Sequence, residues 1–248
     1  MGKRERLDLL LVQRELVSSR EEGRRRILAA EVLVNDQPLT KASALVDQAA
    51  KVRLKASSPY VSRGGLKLEK ALREFQIEIE NKVALDVGAS TGGFTHCLIS
   101  HGARRVYSVD CGYGQLDWKL RNDPRVVVLE RRNIRYLEAS DLPSLADLAT
   151  IDVSFISLRL VLPKVKTLLS GGGEIIALIK PQFEVGKGKV GKGGVVRSNT
   201  EHARVIDGIK EAAMGLGFTI QDVTESPLLG PKGNKEFLIH LAVPDSRI

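Results

Sequence analysis

Residues 86–95 read Asp86-Val-Gly-Ala-Ser-Thr-Gly-Gly-Phe-Thr95, and this stretch decides the fold. It follows a short apolar run, Val83-Ala84-Leu85, and precedes a segment of helical character, His96 to His101. A strand that ends in an acid and opens through glycines into a helix is the elbow of a nucleotide-cofactor site. Gly88, Gly92 and Gly93 lack a Cβ and let the backbone approach a ligand. Ser90 stands where the second glycine of a Gly-x-Gly-x-x-Gly pyrophosphate binder would fall, and no Lys-Ser or Lys-Thr follows, which excludes a Walker-type phosphate loop. An acid before such a turn suits a ligand with a positive charge and ribose hydroxyls. S-adenosylmethionine is one; the turn alone leaves other nucleotide-binding α/β folds open.

Outward from the turn, short β-like runs alternate with helical stretches. The runs are Val83–Val87, Val106–Val109, Val126–Leu129, Leu148–Val153, Glu174–Ile179, Thr219–Val223 and Glu236–Val243. Amphipathic segments such as Leu158–Leu169 and Glu201–Leu216 lie between several of them. The alternation predicts a mostly parallel sheet flanked by helices. The last two runs are joined through Pro227, Gly230, Pro231 and Gly233 without a helix, which predicts an antiparallel pair at the sheet edge. The expected fold class is α/β: a seven-stranded, Rossmann-like class I methyltransferase sheet with a small N-terminal α+β RNA-binding domain.

That small domain is read from the first 60 residues. Leu7, Leu10, Leu11 and Leu16 fall at helical spacing, and Ser19 with Glu22 forms a capping-box pattern for a second helix from Arg20 to Ala30. Two β-like pieces follow, Val32–Val34 and Lys51–Lys55. The predicted boundaries are 1–59 for this unit, 60–64 for a linker and 65–248 for the cofactor domain. The chain carries a formal charge of +8. Residues 1–60 hold 12 Lys and Arg against 8 Asp and Glu, and 180–197 hold five against one, whereas 76–179 are balanced. Clustered positive charge attracts polyphosphates, so Arg4, Arg6, Arg20, Arg24 and Arg25, with Arg63 in the linker, are candidate RNA contacts. Lys187, Lys189 and Lys192, in the glycine-rich loop after Glu184, are a candidate clamp on RNA phosphates; a solvated basic surface is the alternative.

Composition excludes several classes. Aromatic residues make up 4% of the chain, too few for a stacking-driven single-strand binder. Cys97 and Cys111 make no disulfide or metal-ligand pattern, so a reducing compartment and no metal are expected. The apolar runs fall far short of the ~20 residues of a membrane span. A cytoplasmic protein is expected, acting as a monomer.

Ligands of doubly wound sheets bind beyond the carboxyl ends of the strands. The polar residues there are Asp110, placed for ribose hydroxyls, Asp152 in Ile151-Asp-Val-Ser-Phe-Ile156, Lys180 in Ala177-Leu-Ile-Lys-Pro-Gln182, and Glu236 in Gly233-Asn-Lys-Glu-Phe-Leu238. Lys67 precedes the domain, in Ser62-Arg-Gly-Gly-Leu-Lys-Leu-Glu69. Singly, each has a structural reading as a helix cap or a solvated charge. Asp152 and Lys180 resist it more, because each ends an apolar run and a lysine there loses solvation unless an acid pairs with it.

Together, Lys67, Asp152, Lys180 and Glu236 resemble the Lys-Asp-Lys-Glu tetrad of FtsJ-like ribose 2′-O-methyltransferases, and the basic front unit resembles the S-four-like RNA-binding domain. Tyr60-Val-Ser-Arg-Gly-Gly-Leu-Lys67, Asp86–Thr95, Asp152-Val-Ser-Phe-Ile-Ser157 and Lys180-Pro-Gln-Phe-Glu184 are similar to the TlyA, or hemolysin A, family across essentially the whole chain. The resemblance implies S-adenosylmethionine-dependent methylation of cytidine 2′-hydroxyls in ribosomal RNA, with ribosomal subunits as partners. It implies Lys180 as the base or alkoxide stabiliser, with Lys67 and Glu236 tuning it and Asp152 aligning it. A protonated lysine cannot accept a ribose proton at neutral pH, so burial and a second ammonium are needed to weaken its hold on its own. By analogy with methyltransferases, Asp86, Gly88, Ser90, Gly92, Gly93 and Phe94 would surround the methionine end, Asp110 the ribose and Asn133 the adenine. Asp152-Val-Ser-Phe155 lacks the Pro-Pro of exocyclic-amine methylation, and neither cysteine suits a C5 nucleophile. The competing readings are a non-catalytic RNA-binding assembly factor and a membrane-active hemolysin.

Overall fold

The computed structural model describes residues 4–28, 30–54, 59–186, 190–191 and 193–244. It divides into two compact units, Met1–Pro59 and Tyr60–Ile248.

In the first unit, β1 (Arg4–Arg6) leads into α1 (Leu7–Gln13), followed by α2 (Arg20–Leu28), β2 (Val32–Val34), β3 (Gln37–Pro38), β4 (Leu45–Asp47) and β5 (Val52–Leu54). Leu7, Leu10 and Leu11 from α1 meet Val17, Ile27, Val32 and Val46 in one small apolar core. β2 pairs antiparallel with both β3 and β5, and β1 with β4. The expected capping pattern of α2 forms with one change of partner. Ser19 Oγ accepts the Glu22 N–H, but the Glu22 carboxylate reaches back to Ser18 rather than to Ser19.

In the second unit, α3 (Gly64–Phe75) precedes β6 (Val83–Val87), α4 (Gly93–Ser100), β7 (Arg105–Asp110), α5 (Trp118–Arg121), β8 (Val126–Glu130) and β9 (Ala146–Ile151). Then follow α6 (Leu158–Lys166), β10 (Leu169–Ile179), α7 (Pro181–Glu184), α8 (Asn199–Gly215), β11 (Thr219–Glu225) and β12 (Phe237–Ala242). The seven strands from β6 to β12 form one sheet in the order β11-β12-β10-β9-β6-β7-β8. β6 to β10 are parallel; β12 runs antiparallel to both neighbours. The expected antiparallel pair forms one edge of the sheet, with β11 outermost and β12 between it and β10.

Side chains alternate between faces, as strand geometry requires. Val83, Leu85 and Val87 of β6 join the core under α6 and α8, while Ala84 joins the core under α3 and α4. Helix α6 stops short of the sequence expectation because Leu168 and Leu169 turn inward and start β10.

Residues 60–64, expected to be a linker, are instead part of the second unit. Tyr60 is buried, its hydroxyl donates to Glu69 at 2.9 Å, and Val61 N–H donates to His96 Nδ1 at 3.1 Å. The cause is local. Gly65 leaves room for the Tyr60 ring, which would lie 2.2 Å from any Cβ there.

Candidate active site

The chain passes from β6 outward to β7 and β8 and then returns to lay β9 on the other side of β6. This reversal leaves a crevice at the carboxyl ends of β6 and β9, where doubly wound sheets bind ligands. A cleft of about 320 Å³ opens there, within the range of ligand sites. Gly88, Ser90, Gly93 and Phe94 line it together with Asp152, Ser154 and Lys180, with Arg63 and Lys67, and with the loop from Leu228 to Pro231.

The four tetrad candidates are brought together as two ion pairs. Lys67 Nζ lies 2.6 Å from Glu236 Oε2, and Lys180 Nζ lies 2.6 Å from Asp152 Oδ1. Glu236 and Lys180 are buried; Lys67 and Asp152 are half-buried. Separation along the chain is large, 169 residues for Lys67 and Glu236. Lys67 stands on the first turn of α3, Asp152 follows β9, Lys180 ends β10 and Glu236 precedes β12. Gly230 fits against the Glu236 carboxylate, where a Cβ would meet Oε1 at 2.0 Å.

Among the described residues, three buried side-chain oxygens lack a hydrogen-bond partner: Asp152 Oδ1, Gln182 Oε1 and Glu236 Oε1. Asp152 Oδ1 is close to Lys180 but misaligned for a hydrogen bond, so that pair is held by charge. Unsatisfied buried polar atoms cost about 1–3 kcal/mol each. Two of these three belong to the tetrad candidates, and the third lies two residues beyond Lys180. Of the three residues, only Asp152 lines the cleft.

The expected cofactor residues separate into two groups. Gly88, Ser90, Gly93 and Phe94 line the cleft. Asp86, Gly92, Asp110 and Asn133 are absent from its lining, each for a visible reason. Asp86 is fully buried beneath the turn, where Thr95 Oγ1 donates to Oδ2 at 2.6 Å and Thr150 Oγ1 to Oδ1 at 3.1 Å. Gly92, at φ +95°, packs against Leu116 and Leu120. Asp110 braces the turn, accepting the Ser90 N–H at 2.8 Å and the Gly112 N–H at 2.6 Å. Asn133 caps a short 3₁₀ turn by accepting the Arg135 N–H.

The residues present fit S-adenosylmethionine at its methionine end. A glycine-lined wall lets the backbone approach the ligand, and the Asp152 carboxylate offers a counter-charge to a cation. Asp110 keeps spare lone pairs on both oxygens for hydroxyl donors.

Burial pushes the Asp86 carboxyl up to about 7, against the opposing hydrogen bonds from Thr95 and Thr150. The folded protein therefore keeps a proton that an unfolded aspartate releases near pH 3.9. Stability is expected to fall by roughly 2–4 kcal/mol as the pH rises from about 4 through 7, since the folded state binds more protons across that window. Thermal unfolding at pH 5.5 and pH 8 should show this slope in the native chain and lose it in Asp86→Asn. Parallel pH dependence in the two proteins would contradict it.

In the first unit, three expected RNA contacts converge on Asp8, a fully buried carboxylate. Arg6 binds both of its oxygens at 3.0 Å, and Arg20 and Arg24 reach Oδ2 at 2.9 and 3.2 Å. These donors hold Asp8 well below the usual carboxylate range, the Arg6 hydrogen bond most strongly. Arg4 and Arg25 are exposed. Lys187, Lys189 and Lys192 lie outside the described residues.

Known proteins place the chain directly. A model of FtsJ-like methyltransferases matches residues 60–243, and one of the S4 domain matches residues 5–52. The chain belongs to the FtsJ-like methyltransferase family. It is 48% identical to the putative rRNA methyltransferase YqxC of Bacillus subtilis, over 98% of this chain and 87% of the relative. It is 43% identical to the 16S/23S rRNA (cytidine-2′-O)-methyltransferase TlyA of Mycobacterium tuberculosis, over 100% of this chain and 93% of the relative. The structure of a putative hemolysin from Streptococcus thermophilus superposes with a TM-score of 0.77 at 41% identity, covering 100% of this chain and 92% of that one. Despite that last name, no helix among the described residues is long and apolar enough to cross a membrane.

Sequence reasoning missed Asp8, Thr95, Thr150, Ser62, Ser154 and the Leu228–Pro231 wall. Asp8 had a usable signal, being the one acid inside the apolar stripe of α1. Thr150 and Ser154 had none, because their partners Asp86 and Lys180 lie 64 and 26 residues away.

Proposed function

We propose that this protein methylates ribose 2′-hydroxyls of ribosomal RNA, cytidine above all, with S-adenosylmethionine as methyl donor. The observation that carries the reading is the shared cleft, which the glycine turn lines together with Lys67, Asp152 and Lys180. The S4 domain and the activity of the Mycobacterium tuberculosis relative support RNA, and ribosomal subunits in particular, as substrate.

When bound, S-adenosylmethionine supplies an electrophilic methyl group. Lys180 lines the same cleft as the glycine turn, and its Nζ would take the proton of the ribose hydroxyl whose oxygen accepts the methyl. Asp152 then holds the new ammonium by charge at 2.6 Å. Lys67, fixed by Glu236, adds a second positive charge that favours the developing alkoxide. Much of the rate comes from holding the two reactants in line. Phe155, 90% exposed beside Ser154 and 5.0 Å from the Phe183 ring, offers a flat apolar surface for the base of the target nucleotide. In the first unit, the arginines around Asp8 present preset guanidinium groups, with unused donors for RNA phosphates.

The test is methyl transfer from labelled S-adenosylmethionine to unmodified ribosomal subunits, followed by nuclease digestion and identification of the methylated nucleoside. 2′-O-methylcytidine is expected. Base-methylated products, or no transfer to any ribosomal RNA by folded, cofactor-binding protein, would refute the proposal.

A further inference from the structure

The Lys180 amine makes one hydrogen bond among the described residues, and it goes to a residue outside the tetrad. Its Nζ donates to Ser154 Oγ at 3.0 Å. The Asp152 carboxylate is nearer, but its misalignment means that it attracts the charge without fixing the rotation of the amine. An sp³ amine carries three positions besides its carbon. One oriented bond to a fixed acceptor decides where the other two point.

Ser154 is well placed to be that fixed acceptor. It lines the cleft beside Lys180, which is itself 8% exposed. The segment carrying Ser154 is tied at two further places to α7, the short helix that begins directly after Lys180. The exposed Phe155 ring lies with its centroid 5.0 Å from that of Phe183 of α7. Glu184, the last residue of α7, accepts from Ser157 Oγ at 2.5 Å and from the Leu158 N–H at 2.8 Å. Ser154 and Lys180 therefore sit on two segments that are braced against each other on the far side of their own hydrogen bond.

The backbone pays for this arrangement. Phe155 adopts φ +65°, a left-handed conformation that costs a bulky L-residue about 1–3 kcal/mol. Neither flanking element requires a left-handed residue there: β9 ends at Ile151, and α6 starts after its Ser157 cap. The conformation does turn the chain between Ser154, at the cleft, and the Phe155 ring, against α7.

We propose that Ser154 is a positioning residue for methyl transfer: its hydroxyl fixes the rotation of the Lys180 amine, so that a free position on Nζ faces the ribose hydroxyl. This rests on the assignment of Lys180 as proton acceptor. Ser154 itself takes no proton from substrate. It accepts an N–H from Lys180 before transfer and keeps that bond to the ammonium afterwards.

The experiment compares Ser154→Ala, Ser154→Thr and Lys180→Ala in steady-state methylation of unmodified ribosomal subunits, with the cofactor Kd measured by calorimetry. Ser154→Ala is expected to lower kcat about 10- to 30-fold, leaving KM for RNA and the cofactor Kd within about twofold, as for an interaction made chiefly in the transition state. Ser154→Thr restores the hydroxyl and should return kcat to within about threefold of native. Three results would overturn the inference: native kcat in Ser154→Ala, a loss confined to KM or Kd, or an equal loss in the threonine variant. An inactive Lys180→Ala beside a fully active Ser154→Ala defeats the role of Ser154 alone; a fully active Lys180→Ala removes the assignment of the base itself.

Discussion

Replacing Lys180 with alanine is expected to lower kcat for RNA methylation by about 10³-fold, the middle of the range for loss of a positioned general base. The folded state should tolerate the change. Lys180 closes β10 and hands the chain to α7 through its backbone, which alanine reproduces. Removing the amine leaves the buried Asp152 Oδ1 without its counter-charge, so some loss of Tm is expected and kcat is compared on folded protein. Cofactor Kd should stay within about threefold, because the glycine turn is untouched. Lys180→Arg separates two roles that alanine confounds. Arginine keeps the positive charge but does not give up a proton at any accessible pH, so a base role predicts a loss as deep as that of alanine. Recovery of a tenth or more of native kcat by arginine would mean that Lys180 acts only through its charge. Native kcat in Lys180→Ala would leave the cleft without an identified acceptor.

Much of this site was legible in the chain, for reasons that differ from residue to residue. The strands were readable because parallel sheet buried on both faces demands unbroken apolar runs, as in Val83–Val87. The positions of Asp152 and Lys180 followed directly, since each terminates such a run. Their union with Lys67 and Glu236 did not: no local pattern reports that residues 67 and 236 meet, and only the family resemblance joined them. Asp86 shows the opposite failure. Its place at the end of β6 was read correctly, but strand alternation turns its side chain to the face covered by α4, where it also meets Thr150, 64 residues away in sequence and announced by no periodicity. The β11–β12 pair at the sheet edge was readable because the hairpin linking its strands is local, whereas the pairing of β12 with β10 is not. The arginines of the first unit were read as a charged surface, and Asp8, which organises three of them, was overlooked because attention to net charge hides the single acid that fixes it.

Gly88→Ala should produce the largest loss of stability and of cofactor binding from a single added methyl group. Gly88 has φ +86°, and an alanine there pays about 1–2 kcal/mol for the left-handed conformation alone. The added Cβ would also lie 2.6 Å from the Asp152 carbonyl oxygen and 3.0 Å from its carbon, which are backbone atoms that cannot swing aside. They are held by the sheet itself: Asp152 N–H donates to Val87 O at 2.9 Å, and Gly88 N–H donates to Val109 O at 2.9 Å. Relief requires the ends of β6 and β9 to part at the floor of the cleft, moving Asp152 away from Lys180. A total cost of roughly 3 kcal/mol follows, or about 6–12 °C in Tm for a domain of this size. Cofactor Kd should rise more than tenfold, because the same displacement opens the wall that faces the methionine end. Gly114 provides the control. It also has positive φ, +69°, but nothing lies within 4 Å of its Cβ position, so Gly114→Ala carries the conformational cost without the contact. Thermal melts and calorimetric titration of both variants with S-adenosylmethionine decide the matter. If Gly88→Ala loses no more stability and no more affinity than Gly114→Ala, the close approach of the glycine turn to Asp152 is not what shapes the site.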